Sequence, residues 1–235
     1  MRFALFSDVH GNLAGLRAVA AALKDEQPLD HVVVAGDHLQ GGPRPREVWE
    51  LLTSRGWILV RGNEDDSLIH DQSTTKPPPP NYRQAFQAQI NWTRDRVGPT
   101  VLAQIASLSE RWQISTPAGD LLVVHSSPRS IDDRCGGLHN SSAEVAEAYG
   151  GTGAAAIAFG HYHRSFVRPA PFALLINVAS VGLPVDQRPL AAYTVLTATD
   201  DGAWIVEQRN APYRLAEESA AATANGLPPW VRDPE

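Results

Sequence analysis

A single cysteine, Cys135, stands in a chain of 235 residues. A lone thiol forms no internal disulfide, so nothing here asks for an oxidising compartment, and a Cys-rich structural zinc site is excluded. Long apolar runs are also missing. No stretch approaches the roughly 20 apolar residues that cross a bilayer, and the apolar part of the N-terminal MRFALFSD is too short for a secretory signal. The expectation is a cytoplasmic protein with no membrane partner. Positive charge is not in excess: 20 Lys and Arg against 26 Asp and Glu leave a net charge of -6. Counterion release on nucleic acid needs clustered Lys and Arg, so no extended nucleic-acid surface is expected. With 43% hydrophobic and 20% charged residues, the chain suits one globular domain spanning 1–235.

What is present is an alternation of strands and helices. RFALFS (2–7) reads as a buried strand, and NLAGLRAVAAALKD follows with helical period and an Asn in capping position. HVVVAGD (31–37) repeats the pattern, with PREVWELLTSRG as its helix and Gly56 as the stop. WILVRGNED (57–65) supplies a third strand. Three such units predict a mainly parallel, layered sheet with its site at the C-terminal edges of the strands. The middle of the chain is different. HDQSTTKPPPPNY is polar and Pro-rich, and Tyr82, Phe86, Ile90 and Val97 then recur at helical spacing, read here as a packing face rather than an aromatic ligand platform. A helical insert over about 71–110 is expected, a candidate lid or oligomer surface. Beyond it, RWQISTPAGDLLVVHSS reads as a hairpin turning at PAGD, and AAAIAFGHYHR and FALLINVASVG as buried strands. TDDG marks a last hairpin, and the Ala-, Glu- and Pro-rich tail over about 214–235 is expected to be loosely attached.

The ends of five predicted strands carry, in order, Asp8 and His10; Asp37; Asn63; His125; and His161 with His163. Each alone reads as a turn residue, a helix cap or a structural histidine. Together they put only oxygen and imidazole donors at one edge of a sheet. That donor set suits Mn, Fe, Zn, Ni or Co.

In sequence the segments DVH, GD, GNED, VVHSS and GHYH resemble, in the same order, the DxH, GD, GNx, isolated His and GHxH motifs of the calcineurin-like metallophosphoesterase superfamily. The resemblance runs from about residue 2 to about 200, and NVASVGLPVDQRPLAAYTVL is similar to the closing strands of its small bacterial and archaeal phosphodiesterase branch. It implies an α/β fold, a four-layer αββα sandwich of two mixed sheets. It also implies two divalent metal ions, manganese first among the candidates: Asp8, His10 and His163 on one, Asn63, His125 and His161 on the other, and Asp37 between them. Such a pair clamps both oxygens of a phosphoryl displacement and makes a hydroxide available near neutral pH for in-line attack. The implied substrate is a small phosphate ester, nucleotides included, with Asn63 also contacting it.

One departure from the pattern bears on the chemistry. Many members read GNH, with that His protonating the leaving oxygen; here Glu64 takes its place, and an ionised Glu would repel phosphate unless it turns away, binds solvent or is neutral. The change favours a phosphodiesterase, or leaving groups that need little protonation. His38, next to Asp37, is a candidate replacement acid. Arg44, Arg46, Arg129, Arg134 and Arg164 follow the motif loops and are candidate phosphate contacts, Arg44 and Arg164 foremost. Asp65, Asp66, His31, His70 and His139 are read as structural or solvent-facing, and Cys135 as a non-catalytic thiol. The alternatives are a phosphomonoesterase, whether a phosphoprotein phosphatase or a dinucleoside polyphosphate hydrolase, and a non-catalytic metal-binding scaffold.

Overall fold

The computed structural model describes residues 1–70 and 80–229. In chain order the first half holds β1 (Arg2–Phe6), α1 (Leu13–Ala22), β2 (His31–Val34), α2 (Pro45–Ser54), β3 (Ile58–Leu59), α3 (Asn63–Ile69) and α4 (Pro80–Ala106). The second half holds β4 (Arg111–Ile114), β5 (Leu121–Val124), α5 (Ser142–Tyr149), β6 (Ala156–Phe159), β7 (Ser165–Pro169) and β8 (Leu174–Val178). It closes with β9 (Leu190–Ala198), β10 (Trp204–Pro212) and α6 (Leu215–Asn225).

The strands divide between two five-stranded mixed sheets, ordered β10-β9-β1-β2-β3 and β4-β5-β6-β8-β7. In the first, β1 runs parallel to β2, Phe3 opposite His31, and antiparallel to β9, Arg2 opposite Thr197. In the second, β5, β6 and β8 are parallel, with β4 and β7 antiparallel at the edges. Side chains alternate faces along a strand, and the central strands β1, β5 and β6 have two apolar faces. Phe3 and Leu5 of β1 enter a core shared with Leu121 and Val123 of β5 and with Ala156 and Ala158 of β6. Ala4 and Phe6 point the other way, against α1, α2, α3 and α4. Leu122, Val124, Ile157 and Phe159 face α5. Two outer cores and one between the sheets make the four-layer αββα sandwich that the motifs implied.

Local signals account for the helices. Asn12 caps α1 by accepting from the Gly15 N–H at 2.8 Å. Gly56, at φ 63°, follows α2 as its left-handed stop. The helix α4 breaks at Gly98 (φ 76°, ψ 173°), the residue before Pro99, because proline excludes a helical predecessor and donates no N–H. Ile90 and Val97 of α4 are buried in the core over the first sheet, and Phe86 packs against it. The Pro-rich stretch read as a candidate lid lies, over 71–79, outside the described residues, as does the side chain of Tyr82.

Three features depart from the sequence reading. The third strand pairs over only Ile58 and Leu59. β7 and α5 are additional elements. The segment after Arg214, expected to be loose, contains α6, held by the buried carboxylate of Glu218. That carboxylate accepts from the Ala14 N–H at 2.6 Å and pairs with the Arg44 guanidinium. Its burial forces pairing, since an unpartnered carboxylate in the interior is costly. No helix among the described residues is long and apolar enough to cross a membrane.

Candidate metal centre

The loops leaving β1, β2, β3, β5 and β6 meet between the sheets at the C-terminal edges of their parallel strands. Five of the donor residues lie in the left-handed backbone region: Asp8 (φ 54°), His10 (48°), Asp37 (55°), His161 (68°) and His163 (52°). A non-glycine residue there costs on the order of 1–2 kcal/mol, and such conformations persist only where neighbours fix them. Here the loops after β1 and β2 lie side by side: Asp8 N donates to Gly36 O at 3.0 Å, His10 N to Asp37 O at 3.0 Å and Gly11 N to His38 O at 2.9 Å. Two glycines let the loops close up. A Cβ on Gly160 would stand 2.0 Å from Ser7 Oγ and 2.3 Å from Asp8 Oδ2, and one on Gly62 would stand 2.2 Å from Asp37 Oδ1.

The donor atoms form two adjoining clusters. Asp8 Oδ1 lies 3.0 Å from His163 Nε2 and 3.7 Å from His10 Nε2, and the two Nε2 atoms are 3.1 Å apart. Across from them, Asn63 Oδ1 lies 2.9 Å from both His125 Nε2 and His161 Nδ1. Asp37 Oδ2 is 3.2 Å from His125 Nε2. Three of the rings are oriented by main-chain acceptors: Nδ1 of His10, His125 and His163 sits 2.8, 2.7 and 2.7 Å from the carbonyls of Gln40, Ala35 and Leu183. With Nδ1 as the donor, each Nε2 presents its lone pair inward. For His10 and His163 those lone pairs face each other at 3.1 Å beside a buried carboxylate oxygen, Asp8 Oδ1, that has no well-aligned hydrogen bond. With both imidazoles neutral the contact needs a positive charge between the nitrogens, which a proton on His10 or a bound cation supplies. Among the described residues Asp8, His10 and His163 form one potential ion-binding group, Asp8, Asp37 and His125 a second, and His10, Asp37 and Glu64 a third, and the donor atoms within each lie within 4.8 Å of one another. The donors fit divalent cations of the Mn to Zn series.

The charges are strongly coupled. Burial alone would raise Asp8 and Asp37, but His163 and His10 hold Asp8 well below the usual carboxylate range, and His125 holds Asp37 at about 2. Burial likewise opposes charge on the imidazoles, yet Asp37 lifts His125 to about 10, and Glu64 with Asp8 lifts His10 well above its ordinary value. His161 goes the other way, to about 3, through burial and the neighbouring His125. Burial raises Glu64 against the attraction of His10.

The structure therefore brings together Asp8, His10, Asp37, Asn63, His125, His161 and His163, with Glu64 beside them. His38 is not among them. It is fully buried, Nδ1 2.7 Å from Asp65 Oδ2 and the ring edge-on to Trp49, so the candidate acid is walled off from solvent. Arg44 is engaged by Glu218 rather than free for a phosphate. Arg46 donates to the carbonyls of Arg96 and Val97, and Arg129 pairs with Asp133 and Glu147. Arg134 and Arg164 are exposed. Asp65, read from the sequence as structural or solvent-facing, has a structural role. Its carboxylate accepts the N–H groups of Gly62, Asp37 and His38, each at 2.9 Å, and so ties the loop after β2 to the start of α3. The available signal was an acid two residues after Asn63, where a first-turn carboxylate collects backbone N–H groups.

A family model described as a calcineurin-like phosphoesterase superfamily domain matches residues 1–201. Among solved structures, a metallophosphoesterase from Sphaerobacter thermophilus is 27% identical, with 97% of this chain and 95% of that one aligned at a TM-score of 0.72. A hypothetical protein from Pyrococcus horikoshii OT3 is 16% identical over 97% of this chain and 94% of its own, with a TM-score of 0.78. Yfce, a phosphoesterase from E. coli, is 19% identical over 89% of this chain and 98% of its own, with a TM-score of 0.52. No curated protein matches.

Proposed function

The chain belongs to the calcineurin-like phosphoesterase superfamily, and from that premise we propose that it hydrolyses phosphodiesters with two divalent metal ions held between its sheets. The observation that carries the reading is the convergence of the seven donors Asp8, His10, Asp37, Asn63, His125, His161 and His163, with the Nε2 atoms of His10 and His163 3.1 Å apart beside Asp8 Oδ1. Asp8, His10 and His163 would hold one cation and Asn63, His125 and His161 the other, with Asp37 shared. When bound, such cations neutralise the phosphoryl oxygens and lower the pKa of water to about 7.

The chain's own residues define the rest. The His161 backbone N–H donates to Asp8 Oδ2 at 3.0 Å, and the Glu64 N–H to Asp37 Oδ1 at 2.9 Å, so both carboxylates are held by main chain while their other oxygens face the imidazoles. Asn63 turns Oδ1 toward His125 Nε2 and His161 Nδ1, 2.9 Å from each, which leaves its Nδ2 to donate to a phosphoryl oxygen. Two features support a diester. Glu64 occupies the position where an imidazole would protonate the leaving oxygen, and its carboxylate repels a monoester dianion more than a diester monoanion. His38, buried against Asp65, has no path to a leaving group. Departure without a proton suits leaving groups that are stable anions. A small phosphodiester with an aryl-oxide leaving group meets that condition, and a nucleotide diester would need water to protonate its departing alkoxide.

The test is paired hydrolysis of bis-p-nitrophenyl phosphate and p-nitrophenyl phosphate by metal-stripped protein reloaded with Mn. The expected result is a strong diester preference. A monoester preference would overturn the reading of Glu64 and place phosphomonoesters first.

A further inference from the structure

The histidines of the centre are not held alike. His125 and His163 rest their outer nitrogens on neutral carbonyls alone, at 2.7 Å each. His10 has its carbonyl partner, Gln40 O at 2.8 Å, and in addition a carboxylate oxygen, Glu64 Oε2, 3.5 Å from the same Nδ1. His161 also has a carboxylate near its outer nitrogen, but Asp132 is 4.0 Å away and its side chain is 67% exposed, so water screens it. Glu64 is different: its side chain is 13% exposed, and Oε2 is buried with no hydrogen-bond partner. The residue is also held in place. Its N–H donates to Asp37 Oδ1 at 2.9 Å, and its carbonyl lies 2.7 Å from Ser67 Oγ, which also reaches Gln40 Oε1 at 2.8 Å. A buried carboxylate oxygen with no hydrogen-bond partner faces the back of one imidazole, whose front nitrogen lies near Asp8 and His163.

We infer that Glu64 is a positioning residue for the metal held by Asp8, His10 and His163, acting across the His10 ring to make that imidazole the stronger ligand. The inference rests on the dinuclear reading of the site. A carboxylate behind a ligating histidine fixes its tautomer and raises its basicity, and losing such a partner lowers metal affinity by about 10–100-fold. The two metals are thereby made unequal, the one on His10 binding more tightly. Glu64 is thus a part of the centre, and its presence in place of a histidine carries a function of its own.

The experiment is calorimetric titration of Mn into metal-stripped wild type, Glu64→Gln, Glu64→Asp and Glu207→Gln, with the melting temperature of each metal-free protein measured in parallel. Glu64→Gln keeps the volume and the backbone bonds and removes only the charge. The expected result is two Mn per chain throughout, about a 10–100-fold weaker affinity at one site in Glu64→Gln, partial recovery in Glu64→Asp, no change in Glu207→Gln, and a cooperative melt of every metal-free protein. Wild-type affinities at both sites of Glu64→Gln would overturn the inference, as would an equal loss at both sites with a lowered melting temperature. Wild type binding fewer than two Mn would overturn the dinuclear reading itself.

Discussion

Loading the centre with metal must expel protons, and the structure says from where. In the metal-free protein His125 stands at about 10, with burial opposed by Asp37, and Asp37 at about 2, with burial opposed by His125. At pH 7 the pair is an imidazolium beside a carboxylate at 3.2 Å. A metal takes only the neutral imidazole. Removing a proton from a group three pH units below its pKa costs ~4 kcal/mol, roughly a thousandfold in apparent affinity. His10, also raised well above its ordinary value, gives a second proton, whereas His161, at about 3, gives none. Between pH 7 and 9 the apparent Mn affinity should therefore rise by about tenfold per pH unit from the His125 proton alone, and more steeply where His10 is also protonated. Calorimetry in buffers of different ionisation enthalpy measures the proton count, with about two expected per pair of metals. A pH-independent affinity with no proton release would refute the reasoning. The same pair has a stability consequence. The raised His125 contributes stability in full below its ordinary 6.5, lost as pH climbs through about 10. The lowered Asp37 contributes above its ordinary 3.8, lost as pH falls through about 2. The metal-free protein should thus lose thermal stability between pH 7 and 10, while the metal-loaded protein holds it.

Two substitutions away from the donor atoms test how the site is built. Gly160→Ala sets a methyl group 2.0 Å from Ser7 Oγ and 2.3 Å from Asp8 Oδ2; it should cost about 1–3 kcal/mol in urea denaturation and abolish stoichiometric Mn retention, and full retention would contradict the close approach. Glu218→Ala leaves the Arg44 guanidinium and the Ala14 N–H without their buried acceptor. A loss of about 3–5 kcal/mol is expected, with proteolysis opening at α6, and a loss below ~1 kcal/mol would show that α6 is held otherwise.

The convergence of the donor residues was legible because each follows a strand, and a strand's apolar run is visible one residue at a time. Asp8 after RFALF and His125 after LLVV need no long-range knowledge to be placed at a strand's C-terminal end. The two-sheet partition was not legible from periodicity alone. It depends on β1 pairing with β9 and on β6 pairing with β8, across long stretches of intervening chain. β3 shrank to two residues because only Val33 and Val34 of β2 offer it partners. The roles of Arg44 and His38 were misread for one reason: sequence places a side chain beside a motif but does not say which face of the loop it takes. Arg44 turned to Glu218, 174 residues away, and His38 to Asp65. α5 could have been read from Ser141 and Glu144, a capping box whose two bonds, 3.3 and 2.7 Å, both form.

The most direct measurement of the central claim is anomalous diffraction from crystals of the metal-stripped protein reloaded with Mn. Two peaks are expected, one among Asp8, His10 and His163 and one among Asn63, His125 and His161, with the Asp37 carboxylate reaching both. A single peak, or two that do not share Asp37, would contradict the dinuclear centre on which the proposed hydrolysis depends.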